Sequence, residues 1–391
     1  MDQTDVAYAK RQFQQLFPDV TLELKEFSNF TSEDFNDMLR AELTAGNGPD
    51  LVLFNDFTFQ DLSKVLKGNL FFDIDQLMLE DTSFDPSEYQ DSIFQGGYFN
   101  EKRLYIPLRC LTYTAITTEE TLDYYGISLS DHPTMEEWTN ACLQFAEWQK
   151  ENTAVSEGQY LCSVSNLPLY YYMIFNVQLF DCETGNLWID RPEFRQFMEF
   201  LRVSFPGWKA PDGIVKPTTD RQIADAIQQK EIVFYFDVTY KPSELEVFSM
   251  LSENGTPKIV FLPSLNGASE SSSIYGRSMV AINNASPNKR NAYEFLKLLL
   301  SFEVQKNELM IPVHNDALRA QLSSAVVSSG LAQDAVEPML QDLKELQYRH
   351  PVSTEQYKLV ERAMRPWFSE QKSYEECLED LRNSLQIYVD E

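Results

Sequence analysis

The stretch of residues 31–54 constrains the fold more than any other part of the chain. The apolar residues of its first half recur at helical spacing on one face and predict an amphipathic helix. Gly46 suits the positive φ that follows many helices, and Pro49 prevents further helix. The apolar run 51–54 then predicts a short strand buried on both faces, as in a parallel sheet. A helix followed at once by a buried strand is typical of an α/β fold.

Predicted helices and strands alternate along the rest of the chain, which favours helices on both faces of mostly parallel sheets. With 391 residues the chain exceeds the usual size of one compact core, so we expect two lobes. A further strand is predicted over 20–26. Thr134 and Glu137 form a capping-box pattern at the start of a helix, and another helix is predicted over 286–305 with Ser286 as its N-cap.

The charge balance excludes some functions. The chain has 60 acidic and 32 basic residues, a net charge of −28, which argues against nucleic-acid binding because that needs clustered Lys and Arg. An anionic ligand is still allowed, because Arg109 or Arg277 could create a local positive pocket. No apolar run approaches the roughly 18 residues of a transmembrane helix, and the polar, acidic start does not read as a signal peptide.

The sequence contains no signature of catalysis or of metal binding. Nucleotide-binding, metalloprotease and serine-hydrolase motifs are absent, so we predict no enzyme activity, no metal and no cofactor. The three histidines are far apart in sequence and are interpreted as turn or surface residues; they are His132, His314 and His350. The five cysteines are interpreted as buried free thiols, with one disulfide between Cys162 and Cys182 as the alternative.

Several short segments resemble, in order, the landmarks of one protein family. Residues 44–53, T-A-G-N-G-P-D-L-V-L, resemble the "helix, A-G-x-x-P-D, apolar strand" pattern of the extracellular solute-binding proteins of ABC importers. The resemblance is to their carbohydrate-binding type (family 1, maltose-binding-protein-like). Five further segments resemble other landmarks of that family; they are 16–24, 102–108, 134–138, 286–299 and 311–313. Together these segments span most of the chain.

The resemblance implies an α/β, periplasmic-binding-protein-like (type II) fold, with two mostly parallel-sheet lobes joined by a hinge and a cleft between them. Residues 1–111 with 262–315 would form the N-terminal lobe, and residues 112–261 with 316–391 the C-terminal lobe. In the family a strand precedes the first helix, whereas only Met1-Asp2-Gln3-Thr4 precede the predicted first helix here. This is the clearest departure from the family pattern.

The resemblance also implies a function. The protein would bind an extracellular carbohydrate, expected to be an oligosaccharide, close by hinge motion and deliver it to an ABC transporter permease. It would be a monomer held at the bacterial cell surface by a lipid anchor that lies outside this chain. The alternatives are a sensor or receptor ectodomain of the same fold, a peptide or amino-acid binder, and an enzyme that cleaves glycosides with two carboxylates.

The ligand-binding loops of the family correspond by position to 27–30, 55–56, 235–240 and 275–277. A sugar needs flat aromatic rings against its C–H faces and polar side chains for its hydroxyl groups. We add Arg109 near the hinge, Trp208 in a loop and Tyr170 at a helix start. The predicted ligand-binding residues are Asn29, Asn55, Asp56, Arg109, Tyr170, Trp208, Asp237, Tyr240, Tyr275 and Arg277.

Several of these residues also have a purely structural interpretation. Tyr240 and Trp208 could pack within their own lobe, Asp237 could cap a helix or a turn, and Arg109 could form an ion pair at the hinge. Tyr170 is the first of three consecutive tyrosines on a predicted helix, which cannot all face one way, so we expect one of the three to face the cleft.

Overall fold

The structure is a computed structural model with side chains. The residues that it describes are 3–25, 32–55, 58–59, 62–153, 158–162, 168–208, 217–265, 272–306 and 310–390. Within these ranges no helix is both long enough and apolar enough to cross a membrane.

Helices form most of the regular structure. In chain order they are α1 (Gln3–Leu16), α2 (Ser32–Thr44), α3 (Leu62–Lys67), α4 (Asp75–Met78), α5 (Asp91–Phe94), α6 (Glu119–Tyr125), α7 (Met135–Glu151), α8 (Pro168–Ile174), α9 (Pro192–Ser204), α10 (Asp220–Gln228), α11 (Pro242–Ser252), α12 (Lys289–Leu300), α13 (Phe302–Gln305), α14 (Asn315–Ser328), α15 (Val336–Glu345), α16 (Thr354–Phe368) and α17 (Tyr374–Asp390).

The strands are shorter and fewer. In chain order they are β1 (Leu51–Asn55), β2 (Tyr98–Phe99), β3 (Lys102–Arg103), β4 (Ile106–Leu111), β5 (Tyr113–Thr118), β6 (Tyr160–Cys162), β7 (Ile232–Val238), β8 (Pro257–Phe261), β9 (Ser273–Ile282), β10 (Ile311–Pro312) and β11 (Gln347–Arg349). β2 and β3 form a small hairpin of their own, and the other strands form two sheets.

The chain forms two compact units, each assembled from three stretches of sequence. Unit 1 comprises Met1–Leu111, Ile274–Ser323 and Leu340–Thr354, and unit 2 comprises Thr112–Ser273, Ser324–Met339 and Glu355–Glu391. These units differ from the predicted lobes at 262–273, at 316–323 and at 340–354. The last difference has a clear cause, because β11 pairs with β9 and so ties its stretch to the sheet of unit 1.

The sheet of unit 1 is built around β9. In the order β1-β9-β4-β10, β9 pairs antiparallel with β1 on one side and with β4 on the other, and β10 pairs antiparallel with β4. The register places Asn55 opposite Ser278 and Leu111 opposite Tyr275. Because β1 and β4 both oppose β9, these two strands run in the same direction.

β5 has the equivalent place in the sheet of unit 2, whose order is β6-β7-β5-β8. It pairs antiparallel with β7 and with β8, whereas β6 and β7 are parallel. Thr114 lies opposite Asp237 on one side and opposite Phe261 on the other. The strands on either side of β5 therefore share one direction, as they do around β9.

The α/β class is confirmed, but the prediction of mostly parallel pairing is wrong for these strands. β6–β7 is parallel, whereas the pairs that involve β5, β9 or β10 and have a defined register are antiparallel. In each sheet a strand of opposite direction lies between two others and makes both pairings antiparallel. β1 is also only half-buried, with Val52 and Phe54 buried and Asn55 exposed, as an antiparallel strand allows.

The strand predicted over 20–26 does not form. Residues 20–25 have no strand structure, and Glu26 lies outside the described residues. A cavity of about 680 Å³ lies between this segment and β1, and Phe13, Leu39 and Phe295 contribute to its walls. The segment therefore lines the same cavity as β1, the edge strand of the described sheet, but does not pair with it, so alternating sequence alone does not produce a strand.

The predicted helix boundaries are confirmed at two places. α2 ends at Thr44, and Gly46 follows with a φ of 72° while its N–H donates to the Leu43 carbonyl at 3.1 Å. At the start of α7, the Glu137 N–H donates to Thr134 Oγ1 at 3.1 Å and the Thr134 N–H donates to Glu137 Oε2 at 2.8 Å. Both halves of the predicted capping box are present.

The helix predicted over 286–305 is shorter and interrupted. α12 begins at Lys289, and Ser301 has extended backbone between α12 and α13. Ser286 does not cap a helix; its Oγ accepts the N–H of Asn288 at 2.9 Å and donates to the Asp50 carboxylate at 2.6 Å. The predicted cap thus stabilises the turn before the helix instead of the helix itself.

Trp138 lies at the centre of the core of unit 2. It is fully buried, and its ring contacts Phe175, Phe200, Phe234 and Phe236, with centroid distances of 4.9 to 6.0 Å. Aromatic pairs at these distances add about 0.5–1.5 kcal/mol each beyond their buried area. This packing fixes one face of β7, the strand from which several predicted binding residues follow.

The cysteines are free thiols, as predicted. Cys110, Cys142, Cys162 and Cys377 are buried, Cys182 is partly buried, and the alternative disulfide between Cys162 and Cys182 is not formed. Burial raises the pKa of the Cys110 and Cys142 thiols well above the usual range, so both stay protonated and unreactive.

Arg109 lies in the interior of unit 1. It is fully buried on β4, its Nη2 donates to the Val304 carbonyl at 3.1 Å, and Nη2 lies 3.4 Å from the Asp5 carboxylate of α1. A buried guanidinium needs such partners because an isolated charge is costly in a protein core. These contacts match the ion-pair interpretation of this residue.

We expect Gly97→Ala to destabilise the protein much more than Gly126→Ala. Both glycines have positive φ, 87° and 69°, which costs an alanine about 1–2 kcal/mol. A Cβ on Gly97 would also lie 1.9 Å from the Tyr105 carbonyl oxygen, whereas one on Gly126 would meet nothing within 4 Å. The clash adds roughly 1–3 kcal/mol. Thermal unfolding of both variants tests this expectation, and equal losses would contradict the backbone contact at Gly97.

We expect Arg109→Met to lower the free energy of unfolding by about 3–5 kcal/mol, because Asp5 would remain as a buried charge without its partner. Asp5→Leu combined with Arg109→Met should recover most of the loss, since an apolar pair leaves no charge behind. Chemical denaturation of both variants measures the effect. If the single variant is as stable as the wild type, Arg109 has no structural role and its assignment as a ligand contact gains weight.

Candidate functional site

The described part of unit 2 brings several predicted residues together where β5 begins and β7 ends. Tyr170, at the start of α8, packs edge-to-face against Tyr113, with ring centroids 6.2 Å apart. Asp237 lies near enough for its charge to raise the pKa of the Tyr170 hydroxyl, although burial is the larger cause. Tyr235 precedes Asp237 by two residues on the same face of β7. We call Tyr113, Tyr170, Tyr235 and Asp237 the unit 2 cluster.

Of the three consecutive tyrosines, Tyr170 is the one that is not fully buried. Tyr171 and Tyr172 are each 1% exposed. Tyr171 packs on Phe200 and Phe205 in the core, and burial raises its pKa and that of Tyr172 far above the usual range. Two of the three rings therefore hold α8 on unit 2, and Tyr170 is the one of the three that is partly exposed.

Asp237 is held in place by several donors. Lys241 Nζ donates to its Oδ1 at 2.7 Å, Ser243 Oγ donates to its Oδ2 at 3.1 Å, and the Val238 N–H donates to Oδ1 at 2.8 Å. The whole residue is 8% exposed. Asp237 therefore caps the turn after β7, as its structural interpretation anticipated. Its carboxylate also has a fixed orientation beside the aromatic rings.

Tyr240 lies in the short connection between β7 and α11. It has a φ of 58°, in the left-handed region that non-glycine residues rarely adopt. Its ring packs edge-to-face on Phe261 with centroids 6.1 Å apart, and the residue is 5% exposed. Its backbone N–H donates to the Glu244 carboxylate of α11. The conformation of this loop is therefore set by hydrogen bonding as well as by packing.

Trp208 is packed inside unit 2. It is 4% exposed, lies edge-to-face on Phe368 with centroids 4.4 Å apart, and faces Tyr357 at 6.5 Å. These contacts with α16 match the packing interpretation of the residue.

In unit 1, the predicted residues fall along β1 and β9. Asn55 ends β1, and its side-chain oxygen accepts from Thr58 Oγ1 at 3.0 Å. Tyr275 is 4% exposed on β9, and Arg277 is partly exposed two residues later. The register brings Ser278, next to Arg277, opposite Asn55. These residues therefore belong to one region of the sheet.

A second group, not predicted, adjoins this region. Tyr105 Oη lies 2.6 Å from His350 Nδ1 and 3.1 Å from Tyr348 Oη. A Cβ on Gly276 of β9 would lie 2.7 Å from Tyr348 Oη, so the absence of a side chain there lets Tyr348 approach the strand. Burial, reinforced by the Arg349 charge, lowers the pKa of His350 to about 4, so its ring is neutral at ordinary pH.

Two predicted residues, Asn29 and Asp56, lie outside the described residues. Arg109 is in the interior of unit 1, as described above. Among the described residues, no group of three or more His, Cys, Asp or Glu side chains could hold a metal ion.

Sequence reasoning missed Tyr113, Glu244 and the group around His350. His350 was interpreted as a turn or surface residue because a proline follows it. For Glu244 a signal was present, since Pro242 and Glu244 occupy the first and third helical positions, where proline and glutamate are favoured. Tyr113 and Tyr348 gave no such signal, because their neighbours come from distant parts of the chain.

No curated protein matches this sequence. Among solved structures, the sugar-binding protein MalE from Xanthomonas citri is 15% identical with a TM-score of 0.64, covering 98% of this chain and 94% of its own. The substrate-binding protein Lmo0181 from Listeria monocytogenes, in complex with cycloalternan, is 14% identical with a TM-score of 0.58, covering 99% and 96%.

A third similar structure has a different kind of ligand. UgpB from Mycobacterium tuberculosis, in complex with glycerophosphocholine, is 16% identical with a TM-score of 0.59, covering 99% of this chain and 95% of its own. At these identities the similarity establishes the fold. The sequence itself matches the family of bacterial extracellular solute-binding proteins over residues 2–306. Since this match covers most of the chain, the protein belongs to the bacterial extracellular solute-binding protein family.

Proposed function

We propose that this protein binds a carbohydrate, an oligosaccharide, and delivers it to the permease of an ABC importer. The observation that carries the proposal is the unit 2 cluster, in which the Tyr113 and Tyr170 rings lie beside the fixed carboxylate of Asp237. The family assignment supplies the general role, which is the binding of a solute outside the bacterial cell. The cluster supports the choice of a sugar as that solute.

The chemistry of the cluster suits a sugar. A pyranose ring has apolar C–H faces that an aromatic ring covers, and hydroxyl groups that donate to a carboxylate. Tyr113 and Tyr170 supply rings at an angle to each other, and Asp237 supplies acceptors whose orientation Lys241 and Ser243 fix. Because Lys241 already pairs with Asp237, the site offers a balanced charge instead of a free cation or anion.

Charge balance also distinguishes this proposal from the alternatives. A free amino acid needs an anion for its ammonium and a cation for its carboxylate, and a phosphodiester needs cations. At the unit 2 cluster the cation is Lys241, which is 2.7 Å from the Asp237 carboxylate. The protein as a whole carries a net charge of −28, which disfavours an anionic ligand further. An uncharged ligand is the better match.

The proposed mechanism involves motion without chemistry. The ligand would bind in a cleft between the two units, and a hinge would close the units around it. Ligand binding would shift the population from open to closed forms, and the permease would recognise the closed form. Asn55, Tyr275 and Arg277 would contact the ligand from unit 1. Tyr170, Asp237 and Tyr240 would do so from unit 2. We further propose that the protein acts as a monomer held at the cell surface by a lipid anchor.

A thermal-shift screen tests the ligand class. We expect one group of oligosaccharides, tested beside maltose and glucose, to raise the melting temperature. A ligand at about 100 times its Kd stabilises the native state by about 2.7 kcal/mol. Amino acids, short peptides and glycerophosphocholine are the controls. A shift with a control and with no sugar would refute the carbohydrate proposal and leave the family assignment intact.

Substitutions in the unit 2 cluster test the site. We expect Tyr170→Ala to raise the Kd for the best glycan by about 10- to 100-fold, because it removes a contacting aromatic ring. Asp237→Asn should raise it by about tenfold through loss of charge-assisted hydrogen bonds. Calorimetric titration measures both effects. The matched control is Tyr124→Ala, which removes a tyrosine that is 45% exposed on α6 and should leave the Kd unchanged. Unchanged affinity in both cluster variants would place the site elsewhere.

A further inference from the structure

Glu244 is a buried carboxyl group directly beneath the candidate ligand loop. It is the third residue of α11 and is fully buried. Carboxylates are rarely buried without partners, because removing the charge from water is costly. Its burial therefore indicates that it has hydrogen-bond partners within unit 2.

Both carboxyl oxygens of Glu244 have hydrogen-bond partners, and each partner comes from a different element. Oε2 accepts the backbone N–H of Tyr240, in the loop before α11. Oε1 accepts the hydroxyl of Thr114 in β5, and Thr239 Oγ1 lies 3.4 Å from that hydroxyl. Glu244 thus links the loop, the helix that follows it and the central strand of the unit 2 sheet.

The link acts on a strained residue. Tyr240 has a φ of 58°, a conformation that costs a non-glycine residue about 1–2 kcal/mol and persists only when its surroundings enforce it. The bond to Glu244 holds the backbone of Tyr240, and the contact with Phe261 holds its ring. Pro242, at the first position of α11, restricts the loop further.

We propose that Glu244 is a positioning residue, which holds Tyr240 in the conformation that the ligand site requires through its bonds to the Tyr240 N–H and the Thr114 hydroxyl. This inference rests on the proposed function for its effect on ligand, but the link itself is a property of the free protein. Glu244 does not touch the ligand and acts only through Tyr240.

The protonation state of Glu244 decides which atoms donate in the link. Burial raises its pKa to about 8; the nearby Asp237 charge raises it too, whereas Thr114, the Tyr240 N–H and Lys241 lower it. Asp237 and Lys241 are the charged groups that face it from the loop and helix, and the β5 partner, Thr114, is neutral. Below this pKa the neutral carboxyl keeps both bonds, because its carbonyl oxygen accepts from Tyr240 and its hydroxyl donates to Thr114.

Deprotonation places a negative charge in the interior near Asp237. Because the folded pKa lies above the ordinary value of 4.5, this group stabilises the fold fully below pH 4.5 and loses that contribution as the pH rises through about 8. The bond from the Tyr240 N–H should survive this ionisation, because a carboxylate is a stronger acceptor than a neutral carboxyl group. Glu244→Gln mimics the neutral form, since its amide accepts from Tyr240 and donates to Thr114 at every pH.

The first test uses the free protein, labelled with ¹⁵N-tyrosine. The amide signal of Tyr240 is identified by its loss in Tyr240→Phe and is followed from about pH 5 to 10. We expect it to titrate with a midpoint near 8 in the wild type and in Glu253→Gln, a control with the same charge change at an exposed site next to α11. In Glu244→Gln the titration should disappear. A Tyr240 amide that does not titrate in the wild type, or that titrates equally in Glu244→Gln, would overturn the proposal.

The second test measures the Kd for the best glycan of the thermal-shift screen. At pH 6 we expect Glu244→Ala to raise the Kd about tenfold or more, because the Tyr240 N–H loses its acceptor, and Glu244→Gln to stay within about threefold of the wild type. Between pH 6 and 9.5 the wild-type Kd should change as Glu244 ionises, and that of Glu244→Gln should not. A purely structural role would lower the melting temperature without this difference in pH profile.

The two tests separate the possible failures. If the wild type binds no glycan, the proposed function fails while the amide titration still decides whether Glu244 positions Tyr240. If Glu244→Ala does not fold, the comparison of Glu244→Gln with the wild type across pH carries the test. If Glu244→Ala folds and binds the glycan as the wild type does, Glu244 is not a positioning residue.

Discussion

The structure depends on one strand of opposite direction at the centre of each sheet. β9 lies between β1 and β4 in unit 1, and β5 lies between β7 and β8 in unit 2. Each of these strands begins within two residues of the point where the chain passes from one unit to the other. Near the start of each central strand, Tyr113 pairs with Val238 of β7 and Tyr275 pairs with Leu111 of β4. This pairing with a neighbouring strand fixes the backbone from which each of these side chains projects.

Ion pairing and burial limit the free negative charge near the candidate site of unit 2. Asp237 and Glu244 are two acidic groups close to each other, which would repel if both were ionised and unpaired. Lys241 neutralises Asp237, while burial favours the neutral form of Glu244. The result is an ordered polar network with little net charge in a protein whose overall charge is −28. Such a network suits an uncharged ligand with many hydroxyl groups.

The sequence predicted the features that depend on neighbouring residues. The end of α2 at Gly46 and the capping box of Thr134 follow from local chemistry, and both are confirmed. Strand direction was predicted wrongly, because periodicity does not identify a partner. The segment 20–25 alternates like a strand but does not pair with β1, the edge strand beside it. Trp208 reads as a loop residue, yet its environment is set by Phe368, which is 160 residues away in the sequence. Family resemblance predicted Asp237 and Tyr240 as binding residues, whereas the positions of Tyr113 and Glu244 beside them depend on how β5, β7 and α11 pack together.

Preorganisation explains why so many bonds converge on a short loop. Binding loses affinity for every side chain and loop that must be ordered on association. Between β7 and α11, that ordering has already occurred in the free protein: Asp237 is fixed by Lys241 and Ser243, and Tyr240 by Glu244 and Phe261. The free-energy cost of the left-handed conformation of Tyr240 is incurred during folding, and burial of the large core of unit 2 offsets it. A ligand that contacts this loop then gains the full value of its contacts, because the loop needs no further rearrangement to receive it.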